Sequence, residues 1–218
     1  MSAFQTTRED LPAEIPIFPL GGALLLPGGR LPLNIFEPRY LAMVEDSLAA
    51  GRLFGMVQTD ASLPKTAAGA IYRVGCLGRL SSFSEAEDER LLITLAGVIR
   101  FRVVEEAPGR RGYRRAAVDY AGFLADLTAD GPPQAIDRAA LLSALRPYFR
   151  ARGIEANWEA VEGTGDGMLV TTLCMLCPFE IPEKQALLEA ADAQARCEML
   201  VTLMRMDSHG MASEGRPS

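Results

Sequence analysis

Apolar residues in this chain change their spacing near its middle. Up to about residue 122 they fall in short runs separated by Gly, Pro and polar residues; beyond about residue 125 they recur every three or four positions. The first pattern predicts strands and the second helices. Residues 15–20 are a short apolar segment, and the internal Pro16 and Pro19 predict an edge strand or extended segment. Gly21-Gly22 and Pro27-Gly28-Gly29 mark turns around residues 23–26, and residues 31–36 predict a second extended stretch. Pro38 suits the first turn of a helix; Tyr40, Leu41, Val44 and Leu48 follow at helical spacing, and Gly51 stops it. Residues 53–58 predict a strand. Residues 70–83 and 91–105 predict a hairpin with a polar, acidic turn between them. Residues 113–120 predict a last strand after a turn at 109–112. Several strands, one early helix and many turns predict a small, partly closed β-barrel.

The second half predicts three helices. Residues 134–152 place Ile136, Leu141, Leu142, Leu145 and Phe149 on one side, with Pro147 expected to kink or split the helix. Asp166 is positioned to cap a helix that runs to Cys177 and ends before Pro178; apolar almost all round, it is expected to be buried. Pro182 opens a long helix carrying Leu187, Leu188, Ala191, Ala195, Met199, Leu200 and Leu203, and the chain from His209 onward reads as a frayed tail. Asp130-Gly131-Pro132-Pro133 separates the two patterns. The fold class expected is α+β: a barrel subdomain over 14–122, a helical subdomain over 123–207, and flexible tails at 1–13 and 208–218.

Composition narrows the functions. With 218 residues, 49% of them hydrophobic, the chain can bury a sizeable core. A net charge of −6 opposes non-specific nucleic-acid binding. No apolar run approaches the roughly 18 residues of a membrane span, and residues 1–10 are polar, so a cytoplasmic location and no membrane partner are expected. Lys65 and Lys184 are the only lysines, and neither completes a Gly-Lys-Ser/Thr phosphate loop. The single histidine, His209, leaves no Ser-His-Asp or Cys-His set, and no Gly-x-Ser-x-Gly elbow occurs. Four cysteines with one Cys-x-x-Cys fall short of a zinc site. These exclusions point to a protein without catalytic, cofactor or metal residues.

Residues 15–20 (IPIFPL), the Leu26-Pro27-Gly28 turn and residues 31–40 (LPLNIFEPRY) together resemble the start of the Lon-protease N-terminal domain family, the substrate-binding domain also seen in cereblon-like proteins. Weaker similarity continues through residues 75–80, through residues 91–102 with Gly97-x-x-Arg100-Phe101, and through Pro182, Lys184, Gln185, Leu188 and Glu189, so that it covers about residues 14–206. The resemblance implies a PUA-like barrel followed by a helical subdomain, and a role in recognising polypeptides. Full Lon carries ATPase and Ser–Lys protease domains beyond this region, so the expectation is a stand-alone, non-enzymatic Lon-N-like protein. Ser143 and Lys184 are the nearest imitation of the Ser–Lys dyad, but Ser143 lacks a Gly-rich nucleophile context.

Several motifs carry two readings. Phe18, Pro19, Phe36, Glu37, Pro38, Arg39 and Tyr40 are candidates to line a peptide groove. The architectural reading is favoured: Pro38 starts a helix, Glu37 caps its first-turn N–H groups, Phe36 and Tyr40 pack inside, and Arg39 pairs with a carboxylate. Cys174 and Cys177 form a Cys-x-x-Cys at a helix C-terminus, where the dipole opposes thiolate, so inert core cysteines are expected rather than a redox pair. Glu85, Glu87, Asp88 and Glu89 fit a solvated hairpin tip better than a calcium loop. Arg110, Arg111, Arg114 and Arg115 form a basic cluster with one aromatic, Tyr113; it is a candidate RNA patch or a solvated hairpin. Gly163-Thr164-Gly165-Asp166-Gly167 follows a helix and lacks the dinucleotide spacing.

Three functions follow. The first is a binding module for unfolded or extended polypeptides, using an apolar groove or the proline-rich first segment as an exposed strand edge, and acting as an adaptor or holdase beside an ATP-dependent protease. The second is RNA binding through the arginine cluster. The third is an enzyme of unknown type with a hidden carboxylate pair. The first is preferred.

Overall fold

The sheet is organised by one long strand. A computed structural model describes residues 6–60, 62, 70–86, 90–128 and 136–214. Its strands are Glu14–Pro19 (β1), Arg30–Ile35 (β2), Leu53–Val57 (β3), Val74–Glu85 (β4), Leu91–Arg110 (β5) and Tyr113–Asp119 (β6), with helix Pro38–Ala49 (α1) between β2 and β3. On one side β5 pairs with β4. On the other, β2 takes its first part, from Leu91 to Ala96, and β6 takes its last part, from Arg102 to Arg110. β6 pairs in turn with β1, β1 runs parallel to β3, and β3 pairs with β4. Five strands therefore close a ring-like sheet, and β2 is left as a flap on β5.

This corrects the edge expected at residues 15–20, because β1 lies inside the ring. Its prolines are tolerated by position. Pro16 pairs with Arg115 of β6 and precedes the first β1–β3 pair at Ile17; Pro19 pairs with Val57 of β3 and follows the last β1–β6 pair, also at Ile17. Each missing N–H therefore falls where β1 has a neighbour on one side only.

The ring holds Ile15, Ile17, Val57, Leu77, Ile99, Phe101 and Val103. Gly55 and Gly75 leave room for Phe101: a Cβ on either would stand 2.6 Å from Phe101 Cζ. A Cβ on Gly97 would collide with the Leu26 carbonyl. Gly97 instead accepts from Gly28 N–H (3.0 Å) and donates to Gly29 O (2.9 Å), which stitches the turn before β2 to β5.

α1 begins at Pro38, and Gly51, just beyond its end, takes φ +84°, a backbone favouring glycine. Glu37 is its N-cap residue through its carbonyl, which accepts from Tyr40 and Leu41 N–H, while its side chain accepts from Arg39 Nε at 2.9 Å and makes no cap bond.

The later helices are Arg138–Ala151 (α2), Trp158–Gly163 (α3), Asp166–Leu176 (α4), Ile181–Glu189 (α5) and Ala193–Glu214 (α6). The Asp130–Pro133 boundary, the start of the helix expected from residue 134, and Glu87, Asp88 and Glu89 lie outside the described residues. Pro147 does not split α2. Pro147 and Ser143, whose carbonyl it leaves without a helical donor, are both exposed, so water can satisfy that carbonyl. α3 is unforeseen and is capped by Asn157, which accepts from Ala160 N–H at 3.1 Å. Gly165, not Asp166, is the N-cap of α4; the Asp166 carboxylate accepts from Arg138 at 2.5 Å. α6 continues to Glu214, past the fraying expected at His209.

The long helix expected from Pro182 is broken between Glu189 and Ala193. The break answers to Arg100 on β5, which is 4% exposed. Its guanidinium donates to the carbonyls of Leu188 (3.1 Å), Ala190 (2.5 Å) and Ala191 (3.4 Å). Arg196 donates to Leu187 O (2.9 Å), and Asp192 restarts the helix by accepting from Ala195 N–H at 2.8 Å. α5 is docked on the ring by Gln185, which donates to Val74 O (3.1 Å) and accepts from Gln58 (3.2 Å), and by Lys184, which donates to Gly22 O (2.7 Å). One hydrophobic core runs through both patterns, from Phe18 and Phe54 to Leu145, Leu173 and Leu200.

Candidate functional site

α4 departs most from expectation. Leu169, Val170, Leu173 and Cys174 are buried as its apolar composition predicts, but Met168 is 52% and Leu176 76% exposed. With Thr172 and Met175 they form a stripe at helical spacing. The stripe faces Gly28, Gly29 and Arg30, where the turn enters β2, across a groove of about 310 Å³. Gly29 makes this approach possible, because a Cβ there would collide with the Met175 sulfur. Methionine adapts its shape to varied apolar partners. The groove lies between the turn that enters β2 and helix α4.

Two other depressions lie elsewhere on the surface. One, of about 460 Å³ between α2 and α6, carries Asp137, Gln194, Glu198 and Arg205. The other, of about 520 Å³, lies open across Leu33, Phe83 and Leu92 on the β2–β5–β4 sheet.

The free edge among the β1–β3 candidates belongs to β2. Gly97 N–H bonds to Gly29 O and sets the alternation of the β2–β5 ladder, so Leu31, Leu33 and Ile35 turn their backbone groups to β5 and Arg30, Pro32 and Asn34 turn theirs outward. Pro32 removes a donor from the middle of that edge, which disfavours strand addition there.

The candidate groove residues of the first segment do not gather at one surface. Phe18 and Tyr40 are buried, with ring centroids 4.2 Å apart, and Phe18 also faces Phe54. Pro19 is half-buried in β1, and Pro38 is exposed at the start of α1. Arg39 pairs with Glu37 on the surface and lies over the Tyr40 ring. Phe36, expected inside, is 63% exposed.

The arginine cluster is neutralised. Arg110 pairs with Asp46, Arg111 with Glu45 and Asp46, Arg114 with Glu106, and Arg115 with Glu14. The pairs of Arg110 and Arg111 tie the β5–β6 turn to α1, those of Arg114 and Arg115 tie β6 to β5 and β1, and each of the four arginines has a carboxylate beside it in place of a phosphate. Tyr113, the one aromatic, is buried and donates to Asp46 at 2.7 Å.

The cysteines are buried and free. Burial pushes the Cys174 and Cys177 thiols up to about 12, and Cys76 higher still. Ser143 donates to Ala140 O and Lys184 to Gly22 O, so they form no dyad. Gly163 to Gly167 joins α3 to α4, and Arg138 binds its Thr164 carbonyl at 2.9 Å. No helix among the described residues is long and apolar enough to cross a membrane.

Sequence reasoning missed the α4 stripe and Arg30. The available signal was the helix that is apolar all round, a pattern shared by a buried helix and one that keeps a face for a partner.

Known proteins agree with this architecture. Residues 14–206 match the family model of the ATP-dependent protease La (LON) substrate-binding domain. Among curated relatives, Lon protease 2 of Myxococcus xanthus is 30% identical over 209 residues, covering 90% of this chain and 24% of the relative. Lon protease of Anaeromyxobacter dehalogenans is 28% identical over 203 residues, with the same coverages. The chain thus spans about a quarter of the length of these relatives. The crystal structure of the Lon N-terminal domain protein from Xanthomonas campestris superimposes with a TM-score of 0.61 at 24% identity, covering 87% of this chain and 97% of that one. The N-terminal domain of Mycobacterium avium complex Lon protease gives 0.60 at 15% identity, covering 88% and 98%. These two structures support the fold, and the family match places the chain: it belongs to the Lon substrate-binding domain family.

Proposed function

We propose that this chain recognises extended or unfolded polypeptide through the groove between α4 and the turn into β2, without catalysing a reaction, and that it holds or delivers such clients for an ATP-dependent protease in the cytoplasm. The carrying observation is the exposure of Met168 and Leu176 on a helix whose other face is core. Covering the exposed part of each would contribute about 1–2 kcal/mol before ordering costs. Affinity for one segment is therefore weak, on the order of 1 mM, and longer clients gain by engaging more than one site. Family membership supports the client class, and the neutralised arginines support protein over RNA.

The test is fluorescence anisotropy with an extended, leucine-rich peptide and with a reduced, carboxymethylated protein. Leu176→Asp and Met168→Ser alter exposed side chains and should leave the fold intact by circular dichroism. Each should weaken binding about tenfold or more, whereas Met206→Ser, on exposed α6 surface, should not. Unchanged binding in both groove variants would overturn the proposal.

A further inference from the structure

Seven residues line the groove: Gly28, Gly29, Arg30, Met168, Thr172, Met175 and Leu176. One is charged, and it is positive. The chain's net charge is −6, and the larger depression between α2 and α6 mixes Asp137 and Glu198 with Arg205. Arg30 is exposed, and among the described residues no carboxylate pairs with it, unlike Arg39, Arg110, Arg111, Arg114 and Arg115, each of which is paired. A guanidinium carries a planar fork of donors suited to a carboxylate, and Arg30 shares the lining of the groove with Met168 and Met175. Thr172 adds a hydroxyl from α4, within the same stripe as the methionines.

Resting on the peptide-groove reading, we infer that the preferred occupant is an extended polypeptide segment that places an acidic side chain beside an apolar anchor: the anchor packs on Met168, Met175 and Leu176, and the carboxylate pairs with Arg30. Pro32 supports this mode, because it interrupts backbone pairing along β2 two residues beyond Arg30 and leaves side chains to supply selectivity.

The experiment uses three labelled peptides that share one leucine-rich anchor and differ only in the flanking residue: Glu, Gln or Lys. They are titrated into the full chain at low and at physiological salt. The Glu peptide should bind about three- to tenfold tighter than the Gln peptide, with an advantage that shrinks as salt rises. Arg30→Gln should abolish that advantage while the Gln peptide binds as before, and Arg30→Glu should favour the Lys peptide. Equal binding of all three peptides to the unaltered chain would overturn the charge preference and leave the groove standing. Loss of the preference in Leu176→Asp but not in Arg30→Gln would also overturn it. Binding of none of the three would overturn the groove itself.

Discussion

The Arg100 guanidinium and the Asp126 carboxylate meet at 2.8 Å (Nε to Oδ2), with both side chains nearly out of solvent. Asp126 lies in the 3-10 turn Ala121–Leu127 that follows β6, and its Oδ2 also accepts the Arg100 backbone N–H at 3.0 Å. Asp126 aligns the guanidinium so that its other donors reach the carbonyls between α5 and α6. One buried cation thereby joins the ring, the turn and the helix break.

Arg100→Leu should therefore destabilise the fold by about 3–5 kcal/mol, because it strands a buried carboxylate and three carbonyls. Asp126→Asn should cost less, since the carbonyl contacts of Arg100 remain. Urea unfolding of the two variants checks the order; a loss below about 1 kcal/mol for Arg100→Leu would contradict this role.

Gly97→Ala should cost about 1–3 kcal/mol, since its Cβ meets the rigid Leu26 backbone and not a flexible side chain. Gly163→Ala, where a Cβ meets nothing within 4 Å, should be neutral or stabilising by up to about 1 kcal/mol. Thermal melts of both, measured side by side, separate close approach from general intolerance of substitution.

The Asp46 carboxyl is held below the ordinary aspartate range, first by the hydrogen bond from Tyr113 and then by Arg111 and Arg110. A depressed folded-state pKa adds stability that is present above the unfolded value and is lost as pH falls through the folded one. Tyr113→Phe removes the largest cause. The Asp46 titration followed by carbon NMR should move upward toward the ordinary range, and the acid limb of stability should move upward with it. A titration unchanged by the substitution would assign the shift to the arginines alone.

With thiols pushed up to about 12, Cys174 and Cys177 carry on the order of one thiolate in ten thousand at pH 8. A thiol reagent should label the native protein at a rate that tracks unfolding and rises with urea. Labelling as fast as free cysteine, in the absence of denaturant, would show an opening that exposes the end of α4.

Local signals carried much of the fold. The Pro38 start and Gly51 stop of α1, the hairpin between β4 and β5, and the β6 turn follow from residue type and spacing alone. What escaped was set by distant partners. The break after Glu189 depends on Arg100, 90 residues away in sequence from Ala190. The interior place of β1 depends on its pairing with β3 and β6, against the usual meaning of two prolines in a strand. The groove escaped for a different reason: Met168 and Leu176 share the apolar pattern of Leu169 and Leu173, and periodicity cannot tell which face a neighbour will cover. Phe36 misled in the same way, as an aromatic beside a buried strand end that points to water.

The position of β1 also sets the order of assembly. Its two partners lie far apart in sequence, β3 at Leu53–Val57 and β6 at Tyr113–Asp119, and the docking of Gln58 on Gln185 spans 127 residues. During synthesis the hairpin of β4 and β5 can form from neighbouring sequence, but ring closure waits for β6 and the helical cap waits for α5. Through that interval Pro16 and Pro19 withhold two N–H donors from the edges of β1, which weakens it as a template for pairing with other chains.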